Sequence, residues 1–138
     1  GLGRDALCLP GQTFWAINGK SWSGQSHQLN PPPLAELKLG RPYLFELFNG
    51  TPHPHPIHLH GHTFQVVKAD GTPGPRKDTV IVKPMQAVAV RLVADNPGIW
   101  MDHCHNLPHA AEGLTMHVAY AGVSTPFLIG AEHHNEPE

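Results

Sequence analysis

Histidine stands out among the 138 residues of this chain: there are 12, against 9 Lys and Arg together. Eight of the 12 fall in two short segments. One reads His53-Pro-His55-Pro-Ile-His58-Leu-His60-Gly-His62. The other reads His103-Cys104-His105-Asn-Leu-Pro-His109 and continues Ala-Ala-Glu-Gly-Leu114. Imidazole nitrogen and thiolate sulfur together suit transition metals such as copper and zinc. In an extended chain alternate side chains point to opposite faces. Cys104 then faces one way while His103 and His105 face the other, so one mononuclear site cannot easily take all three. His58 and His60 share a face, spaced for a pair of neighbouring ions or a bridged cluster. His55 precedes His58 by three residues, across Pro56, and can turn toward a different site. His109 lies five residues after Cys104, far enough for the chain to leave the strand and loop back. The economical partition is one site from His55, Cys104 and His109, and another from His58, His60, His103 and His105.

A His2Cys set with a weak or absent axial ligand describes a blue-copper electron-transfer site. Four histidines without a carboxylate also suit copper. Zinc is the rival metal, but a closed structural zinc site usually shows paired C-x2-4-C spacing, and this sequence has no such pair. A cupin-like site also uses His-x-His on a β-barrel. Where its acidic ligand would follow, Phe64 and Gln65 stand instead.

These side chains need a rigid frame, and the composition indicates which kind. The chain has 14 Gly and 15 Pro, which separate short apolar runs in the pattern of an all-β domain. Strands are expected over Phe14–Asn18, Ala35–Leu39, Tyr43–Asn49, Thr63–Lys68, Thr79–Val82, Ala87–Val93, Gly98–His103 and Thr115–Ala119. Breakers stand at Pro31–Pro33, Gly40–Pro42, Gly71–Pro75 and Asn96–Gly98. A turn or two of helix is expected around His109–Glu112, stopped by Gly113. About eight short strands without a long helix favour a Greek-key β-sandwich or barrel. Residues 1–120 read as a single domain and 121–138 as a tail. The formal net charge of −2 offers no basic footprint for nucleic acid. No apolar run approaches the ~18 residues of a membrane span, and no signal peptide is readable. Two cysteines cannot make a disulfide scaffold.

HPIHLHGH (His55–His62) and HCHNLPHAAEGL (His103–Leu114) resemble the two C-terminal copper signatures of the laccase-like multicopper oxidases. Asn96-Pro97-Gly98-Ile99-Trp100 and Lys77-Asp78-Thr79-Val80 are also similar to segments of that family's last cupredoxin domain. The resemblance covers about residues 35–120 and implies the cupredoxin type of sandwich. It implies that His55, Cys104 and His109 bind a type-1 copper, with Leu114, which cannot coordinate, at the axial position. His58 would then go to the type-2 copper, and His60, His103 and His105 to the type-3 pair. A reductant such as a phenol or metal ion would give electrons at the type-1 site, through the more exposed imidazole, His109. They would pass from Cys104 to His103 and His105 and on to dioxygen, which is reduced to water. The family's trinuclear centre uses eight histidines, and this sequence supplies four. The chain is therefore expected to be the last domain of a longer oxidase, its remaining histidines coming from an N-terminal cupredoxin domain or a homo-oligomer. The parent would be secreted or periplasmic. The alternatives are a stand-alone electron-transfer cupredoxin with a single type-1 copper, and a zinc-binding β-domain. Copper occupancy should fall as acid protonates the histidines.

Other residues have ordinary readings. His62 is expected to pack or hydrogen-bond, His53 and His27 to lie in exposed loops, and His117 to be a satisfied strand histidine. Met116 reads as core. Trp15, Trp22 and Trp100 read as core or interface aromatics rather than electron relays, and His133-His134 as solvated tail. Asp78 suits a turn or cap as well as substrate steering. Cys8 is expected to be an unpaired thiol or to pair outside this chain, because a bond to Cys104 would consume the copper thiolate.

Overall fold

A computed structural model describes residues 2–4, 15–18 and 32–126. Expectations for Cys8, Phe14, Trp22, His27, Pro31, His133 and His134 lie outside those residues, as does most of the tail. The strands are β1 (Leu2–Arg4), β2 (Trp15–Ile17), β3 (Ala35–Leu37), β4 (Pro42–Phe48), β5 (His55–Leu59), β6 (Phe64–Val67), β7 (Pro73–Lys77), β8 (Thr79–Val82), β9 (Ala87–Val93), β10 (Ile99–Cys104) and β11 (Thr115–Tyr120), with one helix, α1 (Leu107–Ala111). One sheet runs β3-β11-β10-β5-β8 and a second β4-β9-β6-β7, while β1 and β2 pair separately. All pairings are antiparallel except β3 with β11.

Alternation builds the sandwich. In β9 the side chains of Val90 and Leu92 are buried while Arg91 and Val93 are exposed. In β4 Tyr43, Phe45 and Leu47 turn toward the core, alternating with exposed Leu44, Glu46 and Phe48. The other sheet contributes Ile57, Leu59, Val80, Val82, Met116 and Val118, so apolar faces of both sheets meet in one core. Burying each such side chain is worth about 1.5–3 kcal/mol. Among the described residues no helix is long and apolar enough to cross a membrane.

Among the described residues eleven strands replace the expected eight. Gly71–Pro75 was expected to break structure, yet Pro73–Lys77 forms β7. It lies at the edge of its sheet, where a proline without an N–H costs no ladder hydrogen bond. β5, with a proline at its second position, and the three-residue β1 are the other additions. The helix begins earlier than expected, at Leu107, because Pro108 fits the first turn, whose N–H groups lack partners anyway. It stops at Gly113, whose φ of 114° is the left-handed conformation a C-terminal glycine supplies.

Candidate metal centre

The pairing of β5 with β10 creates two faces of different chemistry. His103 lies opposite His58, and Cys104 opposite Ile57. Along β5 the buried positions are His55, Ile57 and Leu59, with Pro56 and His58 turned outward. Cys104 and His55 therefore share the inner face, while His58 and His103 share the outer one. After Cys104 the chain turns through Asn106 into α1, which carries His109 back over the thiol. Cys104 N–H donates to the Leu114 carbonyl and Leu114 N–H to the His109 carbonyl, both at 3.0 Å, which closes the loop.

The inner group is compact. Cys104 Sγ lies 3.6 Å from His55 Nδ1 and 3.9 Å from His109 Nδ1, and the two Nδ1 atoms are 3.2 Å apart. Among the described residues these three form a group whose ligand atoms all lie within 4.8 Å of one another. His55 and Cys104 are fully buried, and His109 is partly exposed. Burial, then the positive charges of His109 and His53, lower His55 from 6.5 to about 4. Burial also lowers His109, followed by His53, while Glu112 opposes them. Both rings thus stay neutral at neutral pH, as a ligand must. Burial pushes the Cys104 thiol up, so a bound cation, not the apo environment, must displace its proton. Leu114 and Met116 are buried in the adjoining core, as expected for Met116.

The outer group is more open. His58 and His60 ring centroids are 4.8 Å apart, His60 and His103 5.1 Å, His58 and His105 5.6 Å, and His103 and His105 5.7 Å. Two rings have their Nδ1–H committed to backbone: His58 to the Asp78 carbonyl at 2.9 Å and His103 to the Cys104 carbonyl at 2.9 Å. Their Nε2 atoms are left bare, and that of His103 faces Nε2 of His60 at 3.0 Å. Asp78 serves through this carbonyl and caps Thr79, whose hydroxyl donates to its carboxylate. His105 is solvent-exposed.

Several supporting residues carry no sequence signal of their own. Trp15 is buried, its indole 4.5 Å from the His109 ring and 4.9 Å from that of His55. Its Nε1–H donates to the Glu112 carboxylate and its backbone N–H to the Glu112 carbonyl, each at 3.0 Å. It is a core aromatic, as expected, but it also walls the inner group. His62 hydrogen-bonds as expected: Nδ1–H donates to the His60 carbonyl, and Tyr120 Oη lies 2.7 Å from Nε2. His117 is a strand histidine but not a satisfied one, because its buried Nδ1 has no hydrogen-bond partner among the described residues. Asp102, inward beside Leu59 and Met116, lines a cavity of about 200 Å3 with Ile17, Leu34 and Phe45.

These groups set an acid response with two opposing parts. Burial lowers His55, His103, His109 and His117, so below about pH 6.5 the unfolded chain binds protons that the folded chain refuses. Their contribution to stability is full above that pH and is lost progressively as pH falls below it, that of His55 through about pH 4. Burial raises the Asp102 carboxyl from 3.8 to about 7. Its contribution has the opposite sign: it favours folding at the acid end and is lost as pH rises through 7. In the metal-free chain Asp102→Asn should therefore steepen the loss on acidification and raise stability at about pH 8 relative to the parent. Thermal melts at acid, neutral and basic pH check this, and an unaltered profile would contradict a neutral buried acid.

The profile of the multicopper oxidase family matches residues 10–122. The chain belongs to that family. The multicopper oxidase MmcO of Mycobacterium tuberculosis is 49% identical over 106 residues, which are 77% of this chain and 20% of that protein. Laccase-5 of Arabidopsis thaliana is 40% identical over 80 residues, 48% of this chain and 14% of that protein. Among solved structures, a multi-copper oxidase from Pseudomonas thermotolerans superposes with a TM-score of 0.69 at 36% identity, covering 78% of this chain and 26% of that one. The Blue Copper Oxidase of Nitrosomonas europaea gives 0.69 at 30% identity, covering 86% and 39%. The fold is thus the cupredoxin sandwich of multicopper oxidases, and the chain spans about a fifth of the length of MmcO. Copper is the cofactor of the family. The donors here fit it: one thiol with two neutral imidazoles on the inner face, and imidazoles with bare Nε2 atoms on the outer face.

Proposed function

We propose that this multicopper oxidase domain is the electron-receiving part of a laccase-like enzyme. His55, Cys104 and His109 would hold the type-1 copper, His58 the type-2 copper, and His60, His103 and His105 the type-3 pair. The observation that carries this reading is the convergence of two Nδ1 atoms and one Sγ within 4.8 Å, with a cluster of imidazoles on the reverse face of the same strands. Bound at a His2Cys set, copper supplies a one-electron couple.

The chain's own residues do the rest. His109 is the partly exposed ligand, so a small reductant approaches its ring edge. Trp15 and the core keep water from Cys104. Peptide bonds join Cys104 directly to His103 and His105, so the backbone itself links the two metal sites. Leu114, buried in the adjoining core, offers no donor atom to a copper that His55, Cys104 and His109 would hold. Backbone carbonyls hold the Nδ1 protons of His58 and His103, and so turn Nε2 of each toward a ligand. In the complete enzyme a phenol or metal ion would be oxidised and dioxygen reduced to water. The four further histidines would come from another cupredoxin domain or from a second copy of the chain.

Oxygen uptake tests the division of labour. The copper-loaded monomer is expected to be blue and to accept electrons from a phenolic reductant, but to consume oxygen only at background rate. Sustained uptake by a verified monomer would contradict a half-complete oxygen site.

A further inference from the structure

We propose that Thr51, held by Asn49, is a positioning residue that fixes the tautomer of His55 and so aims a bare Nδ1 at Cys104 and His109. The proposal rests on the type-1 assignment above and adds residues that belong to neither histidine segment.

Asn49 is fully buried and Thr51 nearly so, on the loop that carries the chain from β4 in one sheet to β5 in the other. The Asn49 amide nitrogen donates to two carbonyls, those of His53 at 2.6 Å and Val82 at 3.0 Å. An amide nitrogen has two protons, so both are used and the amide orientation is determined. Its Oδ1 must then face Thr51, and it accepts from Thr51 N–H at 2.9 Å and from Thr51 Oγ1–H at 2.8 Å. The hydroxyl has a single proton. With that proton directed at Oδ1, or at the His53 carbonyl 3.1 Å away, the contact of 2.8 Å between Thr51 Oγ1 and His55 Nε2 can be a hydrogen bond only if Nε2 carries the proton. A neutral imidazole protonated at Nε2 has its lone pair at Nδ1. That atom lies 3.6 Å from Cys104 Sγ and 3.2 Å from His109 Nδ1.

The backbone completes the frame. Asn49 N–H donates to the Gln86 carbonyl at 3.0 Å, and Met85 N–H donates to the Asn49 carbonyl at 2.8 Å. Val82 and His55 belong to one sheet, and Asn49 joins them through Thr51 to Met85 and Gln86, which lead into β9 of the other. An N–H···O bond at Nε2 also makes the ring a better donor, which favours the cupric state over the cuprous.

The test begins with the metal-free chain, where the tautomer is read directly from the imidazole nitrogen shifts in long-range 15N–1H NMR spectra. The wild-type His55 is expected as the Nε2–H form above about pH 6.5. Thr51→Val keeps the shape without the hydroxyl and should give a mixture of tautomers, while Thr51→Ser should restore the single form. In Cu(II) titrations Thr51→Val should bind about 10–100-fold more weakly than wild type and show a higher reduction potential, and Thr51→Ser should recover both. An Nδ1–H tautomer in wild type overturns the proposal without any variant, as does a Thr51→Val chain with unchanged tautomer, affinity and potential. A chain with the expected tautomers that never turns blue with copper would instead overturn the type-1 assignment and leave the hydrogen-bond device standing.

Discussion

Cys104→Ser should abolish the blue colour of the copper-loaded chain while leaving it folded. The intense visible absorption of a His2Cys copper site arises from the thiolate, and a serine hydroxyl offers neither its softness nor its low ionisation cost. Copper affinity at the inner site should drop by at least about a hundredfold, the upper end of what losing a mere supporting hydrogen bond costs. The fold should survive. Cys104 is fully buried, so the substitution places a hydroxyl in a dry site at a cost of about 1–3 kcal/mol. That is a fraction of the roughly 5–15 kcal/mol of a domain this size. A visible-absorbance titration with Cu(II), with circular dichroism as the folding control, reads both effects. A variant that keeps the blue band would remove Cys104 from the copper site.

Gly61→Ala should produce the largest loss of stability from a single methyl group. Gly61 has φ of 68°, where an L side chain costs about 1–2 kcal/mol. A Cβ there would also meet the Trp100 ring, with Cδ2 at 2.5 Å. That ring is held by its own Nε1–H, which donates to the Asn96 carbonyl, while the Asn96 side chain donates to the Gly61 carbonyl. Overpacking of this kind adds about 1–3 kcal/mol, for a total near 2–5 kcal/mol and a fall in Tm on the order of 10–20 °C. The damage should be local to the outer histidines, because Gly61 separates His60 from His62. Molecules that remain folded should still turn blue. An unchanged Tm in differential scanning calorimetry would show that Trp100 does not cover Gly61.

The sequence reading succeeded where a regular period met an unusual residue type. The alternation of Val88, Val90 and Leu92 marks β9 to its ends, and alternation at His103-Cys104-His105 separates Cys104 from His103, as the register with β5 does. The same rule failed at β7, where two prolines and a glycine suggest a break and only an edge position makes them tolerable. β5 is hard to read for a related reason: histidine and proline are poor strand formers, although the His58-x-His60 spacing already fits an extended chain. Trp15 could not be linked to the site because its partner Glu112 is 97 residues away. Asn49 and Thr51 were equally silent, since a buried amide and hydroxyl look like any turn residues until their partners are seen. Asp102 was nearer to being legible. It shares the parity of Cys104, so an acid at an inward-facing position could have been noted from the motif alone.

One measurement bears most directly on the claim that the inner three residues form a type-1 copper site. It combines optical and EPR spectra with metal analysis on the copper-loaded wild-type chain. We expect an intense blue band and the narrow copper hyperfine splitting of a thiolate-bound ion, both tracking the first and tightest copper. Tightly bound copper with a pale spectrum and an ordinary broad hyperfine splitting would contradict the account, because it would place the metal away from Cys104.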